Sequence, residues 1–145
     1  MKNLILLLLV SIVLISCAST KQFKKFPDNE PLKENMARIY LVRTGNFGGF
    51  VKFNVFLDST DNLVGIVGPN GYLCFDTFTG EHKIIVKAET ERLFTINAQP
   101  DKIYYLRLVP TMGVSHSRVD FEILDEVEGN KVLNKLKPPK MYYME

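Results

Sequence analysis

The sequence predicts an all-β fold, an antiparallel β-sandwich of about eight strands with one short C-terminal helix. Short apolar runs recur about every ten residues from Met36 onward, and turn-forming residues separate them. Several of these runs alternate apolar and polar side chains, as half-buried strands do. Apolar residues adopt helical spacing only near the C-terminus, which limits the predicted helix to that region.

Residues 117–124 alternate most clearly, with Val119, Phe121 and Ile123 on one predicted face. In residues 81–88 the same spacing points Ile84 and Val86 inward. Asn70-Gly71 is a strong turn signal, because these residues tolerate positive φ. The predicted strands cover residues 37–42, 50–57, 63–67, 72–76, 81–88, 92–96, 102–109 and 117–124.

The predicted helix covers residues 128–137 and ends before Pro138-Pro139, because a residue before proline disfavours helical backbone. Val132, Leu133 and Leu136 give it an apolar face. Residues 36–137 are therefore expected to form one β-sandwich domain, and residues 138–145 a C-terminal tail.

Residues 1–16 are typical of an export signal peptide. Lys2 supplies a positive start, and residues 4–15 form an apolar run broken only by Ser11. As a helix this run spans about 18 Å at 1.5 Å per residue. A bilayer core is about 30 Å thick, so the run is too short for a permanent membrane span.

Leu14-Ile15-Ser16-Cys17 resembles the lipobox of bacterial lipoproteins, in which an aliphatic residue and a small residue precede the cysteine. The resemblance implies cleavage between Ser16 and Cys17. It also implies a diacylglyceryl group on the Cys17 thiol and an acyl chain such as palmitate on the freed amine. Several acyl chains anchor a protein far more firmly than a single one. Ala18 is not the Asp that retains many such lipoproteins in the inner membrane, which favours the outer membrane.

Residues 17–35 are expected to be the lipidated N-terminus and a flexible tether, because they are polar and lack an apolar period. Loss of Lys2 with the signal leaves 17 basic and 16 acidic residues, a balance that excludes a typical nucleic-acid binder. With Cys17 lipidated, Cys74 has no internal disulfide partner. Its apolar neighbours Leu73 and Phe75 predict a buried, unreactive thiol.

Residues 37–136 resemble the bacterial lipoprotein family designated domain of unknown function 2846. The segments that carry the resemblance are Ala37-Arg38-Ile39-Tyr40, Gly71-Tyr72, Gly80-Glu81-His82, Glu89-Thr90-Glu91 and Ile103-Tyr104-Tyr105-Leu106-Arg107. Members resemble β-sandwich modules in which a strand containing histidine follows a tight turn. Their turn usually reads Pro-Gly, whereas this chain has Thr79-Gly80. The resemblance implies a fold and a location but no activity.

The sequence holds little that indicates catalysis, a metal or a cofactor. His82 and His116 are its only histidines, and zinc or acid–base sites normally need more converging groups. His82 is expected to be structural, at the start of a strand. Ser115 beside His116 permits a hydrolase, but the sequence places no acid to orient that histidine. Residues 58–62 are acidic and polar like a calcium loop but lack its order, so a solvated turn is favoured.

Residues 44–50 contain Gly45, Gly48 and Gly49 without the spacing of a phosphate-binding loop. They are expected to form a loop between the first two strands, with Phe47 as a candidate exposed contact.

The leading function prediction is a non-enzymatic, membrane-anchored envelope lipoprotein that binds a protein partner or supports the envelope. One alternative is a small-ligand carrier, if the strands close into a barrel with an apolar interior. A weaker alternative is a hydrolase that uses Ser115 and His116.

Overall fold

The computed structural model of the chain describes residues 19–46, 51–112 and 117–142. Within these ranges the chain forms ten strands and one short helix. The helix α1 spans Glu126–Leu133. The strands are β1 (Lys21–Gln22), β2 (Met36–Arg43), β3 (Phe53–Leu57), β4 (Leu63–Val67), β5 (Gly71–Phe78), β6 (Gly80–Lys87), β7 (Glu91–Ala98), β8 (Ile103–Met112), β9 (Ser117–Leu124) and β10 (Lys140–Met141).

The strands form two sheets that pack face to face, which confirms the predicted all-β sandwich. One sheet has six strands in the order β10-β1-β4-β3-β6-β7, and the other has four in the order β5-β2-β8-β9. The prediction that both sheets are antiparallel was wrong, because β2 pairs in parallel with β8 and β1 pairs in parallel with β10. Two neighbouring parallel strands need a long crossover connection. The chain between β2 and β8 provides it, because this stretch includes strands β3, β4, β6 and β7 of the other sheet.

The main core lies between the two sheets and is built from the inward-facing side chains of their strands. The predicted inward residues Ile84, Val86 and Val119 are all fully buried. Ile123, predicted on the same face as Val119, is instead 68% exposed on β9, the edge strand of its sheet. The fully or nearly fully buried members of the core are Ile39, Leu41, Phe53, Val55, Val64, Val67, Leu73, Phe75, Ile84, Val86, Leu106, Leu108 and Val119.

A second apolar cluster covers the outer face of the four-stranded sheet. The sheet contributes Tyr40, Val42, Tyr72, Cys74, Tyr105 and Leu124. The cover consists of Val132, Leu133 and Leu136 from α1 and the turns after it, together with Phe26 from the N-terminal segment. The central strand β2 is therefore buried on both faces.

Helix α1 begins two residues earlier than the sequence pattern predicted and ends four residues earlier. Asp125 is the N-cap, and its side chain accepts a hydrogen bond from the Glu128 N–H at 2.8 Å. Beyond Leu133 the chain continues in tight turns, with Lys135 N–H on the Val132 carbonyl and Leu136 N–H on the Leu133 carbonyl. These turns keep Leu136 on the apolar cover after the α-helix has ended.

The described parts of both terminal segments, residues 19–35 and 138–142, contribute strands to the fold, contrary to the flexible tether predicted for residues 17–35 and the C-terminal tail predicted for residues 138–145. From residue 19 onward the N-terminal segment lies on the domain, where β1 pairs with β4 and β10. Gln22 is completely buried, and Thr20 is 7% exposed. Polar side chains anchor this segment, and a two-residue strand is too short to show an apolar period. The sequence pattern therefore contained no sign of its packing.

Gly129 explains how α1 approaches the sheet. A Cβ built at Gly129 collides with the ring of Tyr105. We expect Gly129→Ala to lower the free energy of unfolding by about 1–3 kcal/mol through overpacking. Inside a helix, by contrast, replacing glycine with alanine usually raises the free energy of unfolding by about 1 kcal/mol. Urea denaturation distinguishes the two signs.

Val127→Ala is the matched control, because Val127 lies in the same helix and is 80% exposed. It should change the free energy of unfolding by less than about 0.5 kcal/mol. A more stable Gly129→Ala protein would show that α1 does not pack against Tyr105 as described.

Candidate functional site

Several predicted site residues lie outside the described part of the chain. These are Ser16 and Cys17 of the lipobox, Ser115 and His116 of the hydrolase alternative, and Phe47, Gly48 and Gly49 of the glycine-containing loop. Lipid attachment at Cys17 and catalysis by Ser115 and His116 therefore remain predictions.

His82 lies within a dense hydrogen-bonded group at the start of β6. Its Nδ1 is 2.9 Å from Asp58 Oδ2, and its Nε2 is 2.8 Å from the Phe78 carbonyl oxygen. Nε2 also lies 3.1 Å from Thr77 Oγ1. The His82 side chain is only 14% exposed. The ring therefore links the turn after β3 to the turn between β5 and β6.

Thr77, His82 and Asp58 have the connectivity of a nucleophile, a base and an orienting acid, but the ring cannot act as a base in this arrangement. The Phe78 carbonyl only accepts hydrogen bonds, so Nε2 must carry a hydrogen and donate it. Nε2 then has no lone pair with which to take a proton from the Thr77 hydroxyl. Thr77 is also only 5% exposed, which keeps substrates from its oxygen. This geometry supports the structural role predicted for His82.

Asp58 is the partner of His82 that the sequence did not reveal. It is the first residue of a hairpin turn, residues 58–62, which is closed by a hydrogen bond from the Leu57 N–H to the Asn62 carbonyl. Burial favours a higher Asp58 pKa, but hydrogen bonds from the Lys83 N–H and His82 outweigh it, so the pKa lies below its usual value. Within the described ranges, no three His, Cys, Asp or Glu residues are grouped to hold a metal ion.

A second polar group fastens the N-terminal segment to the outer face of the four-stranded sheet. The Tyr40 hydroxyl donates to Asp28 Oδ1 at 2.6 Å, and the Tyr72 hydroxyl donates to Asp28 Oδ2 at 3.1 Å. The Tyr40 ring stacks on Tyr105 with centroids 5.2 Å apart. Burial and the hydrogen bond to Asp28 raise the Tyr40 pKa far above its usual value. Both phenols therefore stay protonated and keep donating to Asp28.

Arg38 extends this attachment toward residue 30. Its guanidinium binds both carboxylate oxygens of Asp76, at 2.8 Å and 3.0 Å, and its Nη1 donates to the Glu30 carbonyl at 2.9 Å. The hydrogen bond to Asp76 raises the Arg38 pKa. A paired, largely buried guanidinium of this kind holds the chain rather than presenting a charge to a ligand.

Gln22, in β1, connects the two sheets through a side-chain hydrogen bond. Its side-chain oxygen accepts the Cys74 N–H at 3.2 Å, which ties β1 of one sheet to β5 of the other. The Cys74 thiol is free and fully buried, as predicted. Burial raises the pKa of Cys74 to about 12, which suppresses the reactive thiolate at neutral pH.

Arg43 is another buried residue that the sequence analysis did not single out. Its guanidinium lies over the Phe53 ring, 4.1 Å from the centroid, and its Nη1 donates to the Val51 carbonyl at 2.7 Å. A cation–π contact and a backbone hydrogen bond stabilise this charge at the end of β2. Arg43 thus fixes the chain where it leaves the glycine-containing loop.

A shallow groove of about 300 Å³ runs beside α1, lined by Asp125, Val127, Glu128, Lys131, Val132 and Lys135. The carrier alternative requires an apolar interior cavity within a closed barrel. The described part of the chain instead has two separate sheets, and their facing apolar side chains form one buried cluster. The groove lies on the surface of the helix and offers no comparable enclosure.

Comparison with known proteins adds one likeness. The chain is similar to an uncharacterised protein of Haemophilus influenzae, with 27% identity over 139 residues, and the match covers 88% of this chain and 78% of that protein. No protein-family model matches the chain, and no solved structure matches it. The resemblance to the lipoprotein family therefore stays a prediction. In the described part of the chain, no helix is long and apolar enough to cross a bilayer.

The hydrogen bonds of His82 generate a stability prediction. We expect His82→Ala to lower the free energy of unfolding by about 1–3 kcal/mol, because Asp58 and the Phe78 carbonyl lose a shared donor. Ser115→Ala and His116→Ala, at the predicted hydrolase pair, should each change it by less than about 0.5 kcal/mol. Denaturant unfolding of the three variants gives the order. An unchanged midpoint for His82→Ala, together with loss of an envelope phenotype, would contradict the structural role.

The Asp28 attachment generates a second stability prediction. Asp28→Ala removes the acceptor for two buried phenols, so we expect a loss of about 1–3 kcal/mol in the free energy of unfolding. Hydrogen exchange should also speed up at the Phe23 and Lys24 amides, which both donate to the Val64 carbonyl. Asp61→Ala, in an exposed turn, is the control and should change neither measurement. Fast exchange at both amides in the unaltered protein would contradict the packing of this segment and support the predicted flexible tether.

Proposed function

We propose that the chain is a lipid-anchored, non-enzymatic module of the bacterial cell envelope, attached to the membrane through Cys17. In this proposal the signal peptide is residues 1–16 and cleavage falls between Ser16 and Cys17. The sandwich domain then either binds a protein partner in the envelope or supports envelope assembly. Nucleic acid has no part in this role, since the charge of the chain is nearly balanced.

The lipobox Leu14-Ile15-Ser16-Cys17 carries the proposal, because three independent features agree at this point. An apolar run of export-signal length ends there, a small residue precedes the cysteine, and a folded domain begins soon after it. Ser19 is the first described residue, and β1 begins at Lys21. An anchor at Cys17 thus joins the membrane directly to the first strand of the sandwich.

The non-enzymatic part of the proposal is supported by the chemistry around the described histidine. His82 directs Nε2 at a carbonyl oxygen and Nδ1 at a carboxylate, so the ring is committed to structural hydrogen bonds. The Cys74 thiol is sealed in the core and is not available as a nucleophile. The remaining catalytic candidates are Ser115 and His116, which lie outside the described residues.

An outer-membrane location is the favoured form of the proposal. Ala18 follows the lipidated cysteine in place of the Asp that retains many lipoproteins of this type in the inner membrane. Separation of inner and outer membranes by density gradient, followed by detection of the chain, checks the location. Substitution of Ala18 by Asp should move the protein toward the inner-membrane fractions.

Cys17→Ala tests the anchor. Cells expressing the full chain are grown with alkyne-tagged palmitate and fractionated after lysis without detergent. We expect the original chain to carry the tag and to sediment with membranes, and Cys17→Ala to lose both properties. Membrane retention needs several acyl chains, which the variant cannot receive.

Cys74→Ala is the matched control, because it removes the chain's other cysteine. It should keep the acyl tag and the membrane fraction. A processed Cys17→Ala protein that remains with the membranes would contradict the lipid anchor. Loss of an envelope phenotype in Ser115→Ala or His116→Ala protein with unchanged lipidation and stability would contradict the non-enzymatic role.

A further inference from the structure

The outer face of the six-stranded sheet carries a continuous pattern of lysine and apolar side chains. Strand register places Lys140, Lys21, Ile66, Asn54, Lys87 and Glu91 side by side in one row across all six strands. The neighbouring row holds Leu63, Phe56, Ile85 and Leu93. These residues alternate along their strands with core residues and therefore point away from the core. We call this surface the lysine–aromatic face.

Aromatic rings lie beside the lysines of this face. Lys87 Nζ is 5.5 Å from the centroid of the Phe56 ring, and Lys21 Nζ is 5.2 Å from that of Tyr142. The Tyr142 ring stacks on Phe23 with centroids 6.4 Å apart. Tyrosine beside lysine is the combination found at membrane–water interfaces, where an apolar body enters the boundary and polar tips reach headgroups.

The charge of the face is positive and incompletely balanced. Lys21, Lys83, Lys87 and Lys140 project from it, against the acidic Glu81 and Glu91. Glu91 already pairs with Lys87 at 3.2 Å. Lys21 lies directly beside Lys140 on the neighbouring strand, and like charges in that position repel. Over the described ranges neither of these two lysines pairs with a carboxylate, so an anionic surface would relieve their repulsion.

The chain reaches this sheet only a few residues after the proposed attachment point at Cys17. Thr20 is nearly buried, and its Oγ1 accepts the Gly68 N–H at 2.9 Å, so the chain is fixed to the domain from this residue onward. Two residues separate Thr20 from Cys17, and the three Cα–Cα steps between them reach at most about 11 Å. The headgroup layer on one side of a bilayer is itself about 5–8 Å thick. The domain therefore cannot stand clear of a membrane to which Cys17 is anchored.

We propose that the lysine–aromatic face rests on the anionic phospholipid surface of the membrane. This inference builds on the proposed lipid anchor at Cys17. The short link brings the β1 and β10 edge of the six-stranded sheet to the headgroups. The inner face of that sheet is covered by the other sheet, so the outer face is the one available to turn toward lipid. Its lysines then contact phosphate groups, while Phe23 and Tyr142 lie at the interface.

Lysine protection on vesicles tests the orientation without altering the protein. Mature chain, residues 17–145, is coupled through the Cys17 thiol to maleimide-bearing phospholipid, and the buried Cys74 does not compete. One vesicle preparation contains equal phosphatidylglycerol and phosphatidylcholine, and the other contains phosphatidylcholine with the same maleimide lipid. A membrane-impermeant amine reagent is applied, and mass spectrometry follows each lysine. Because the coupling is chemical, the result does not depend on whether cells lipidate Cys17.

On the phosphatidylglycerol vesicles we expect modification of Lys21, Lys83, Lys87 and Lys140 to slow by roughly threefold or more, with the effect lost in high salt. Lys131 and Lys135, which flank the groove beside α1, should react as they do in solution. Phosphatidylcholine vesicles should protect neither set. Protection of the α1 lysines, equal protection of both sets, or equal protection on both kinds of vesicle would overturn the proposal.

Charge-reversed variants provide a matched control. Lys21→Glu combined with Lys87→Glu should abolish the protection of Lys83 and Lys140 on the anionic vesicles. Lys131→Glu combined with Lys135→Glu makes the same change in net charge on the opposite side and should leave that protection intact. If both double variants lose protection equally, net charge rather than this face directs binding, and the proposal fails. Circular dichroism confirms that each variant is folded.

Discussion

The fold depends on the burial of β2 on both faces. Every residue from Ala37 to Arg43 is buried, so this central strand needs a second layer on the side away from the main core. Two segments from opposite ends of the chain supply that layer: α1 with its following turns, and the N-terminal segment that carries Phe26 and Asp28. The parallel pairing of β2 with β8 is compatible with this double cover, because all-parallel sheets are usually covered on both faces.

The covering layer explains why the chain is fixed to the domain from Thr20 onward. A segment that shields β2 must itself be held, and side-chain hydrogen bonds help to hold it. Thr20, Gln22 and Asp28 each bind a group on the sheets. These contacts leave only the few residues before Thr20 to connect the proposed lipid on Cys17 with the domain. The proposed position at the membrane surface thus follows from the packing requirement of the innermost strand.

The sequence predicted the sandwich because most strands present one face to the core, and their alternation survives in the amino-acid pattern. Strand β2 shows no such alternation, because the residues from Ala37 to Val42 are all buried, including Arg38, which is paired with Asp76. This continuous run gave no indication that β2 pairs in parallel with β8. The packing of residues 19–35 was also hidden, because isolated polar contacts leave no period. The pairing of Asp58 with His82 spans 24 residues and depends on the turns being brought together in space. Spacing within a sequence cannot reveal a contact of that kind.

The burial of Cys74 has a consequence for the proposed location in the cell envelope, which is an oxidising compartment. Disulfides form readily outside the cytosol, and an unpaired cysteine there normally exposes a protein to cross-linking with its neighbours. Cys74 is fully buried, and its pKa of about 12 leaves almost no thiolate to attack another disulfide. The domain therefore keeps an odd thiol without a partner and without the risk of covalent dimers. In a lipidated chain, both cysteines would be out of reach of the redox chemistry around them, one through its acyl group and the other through the core.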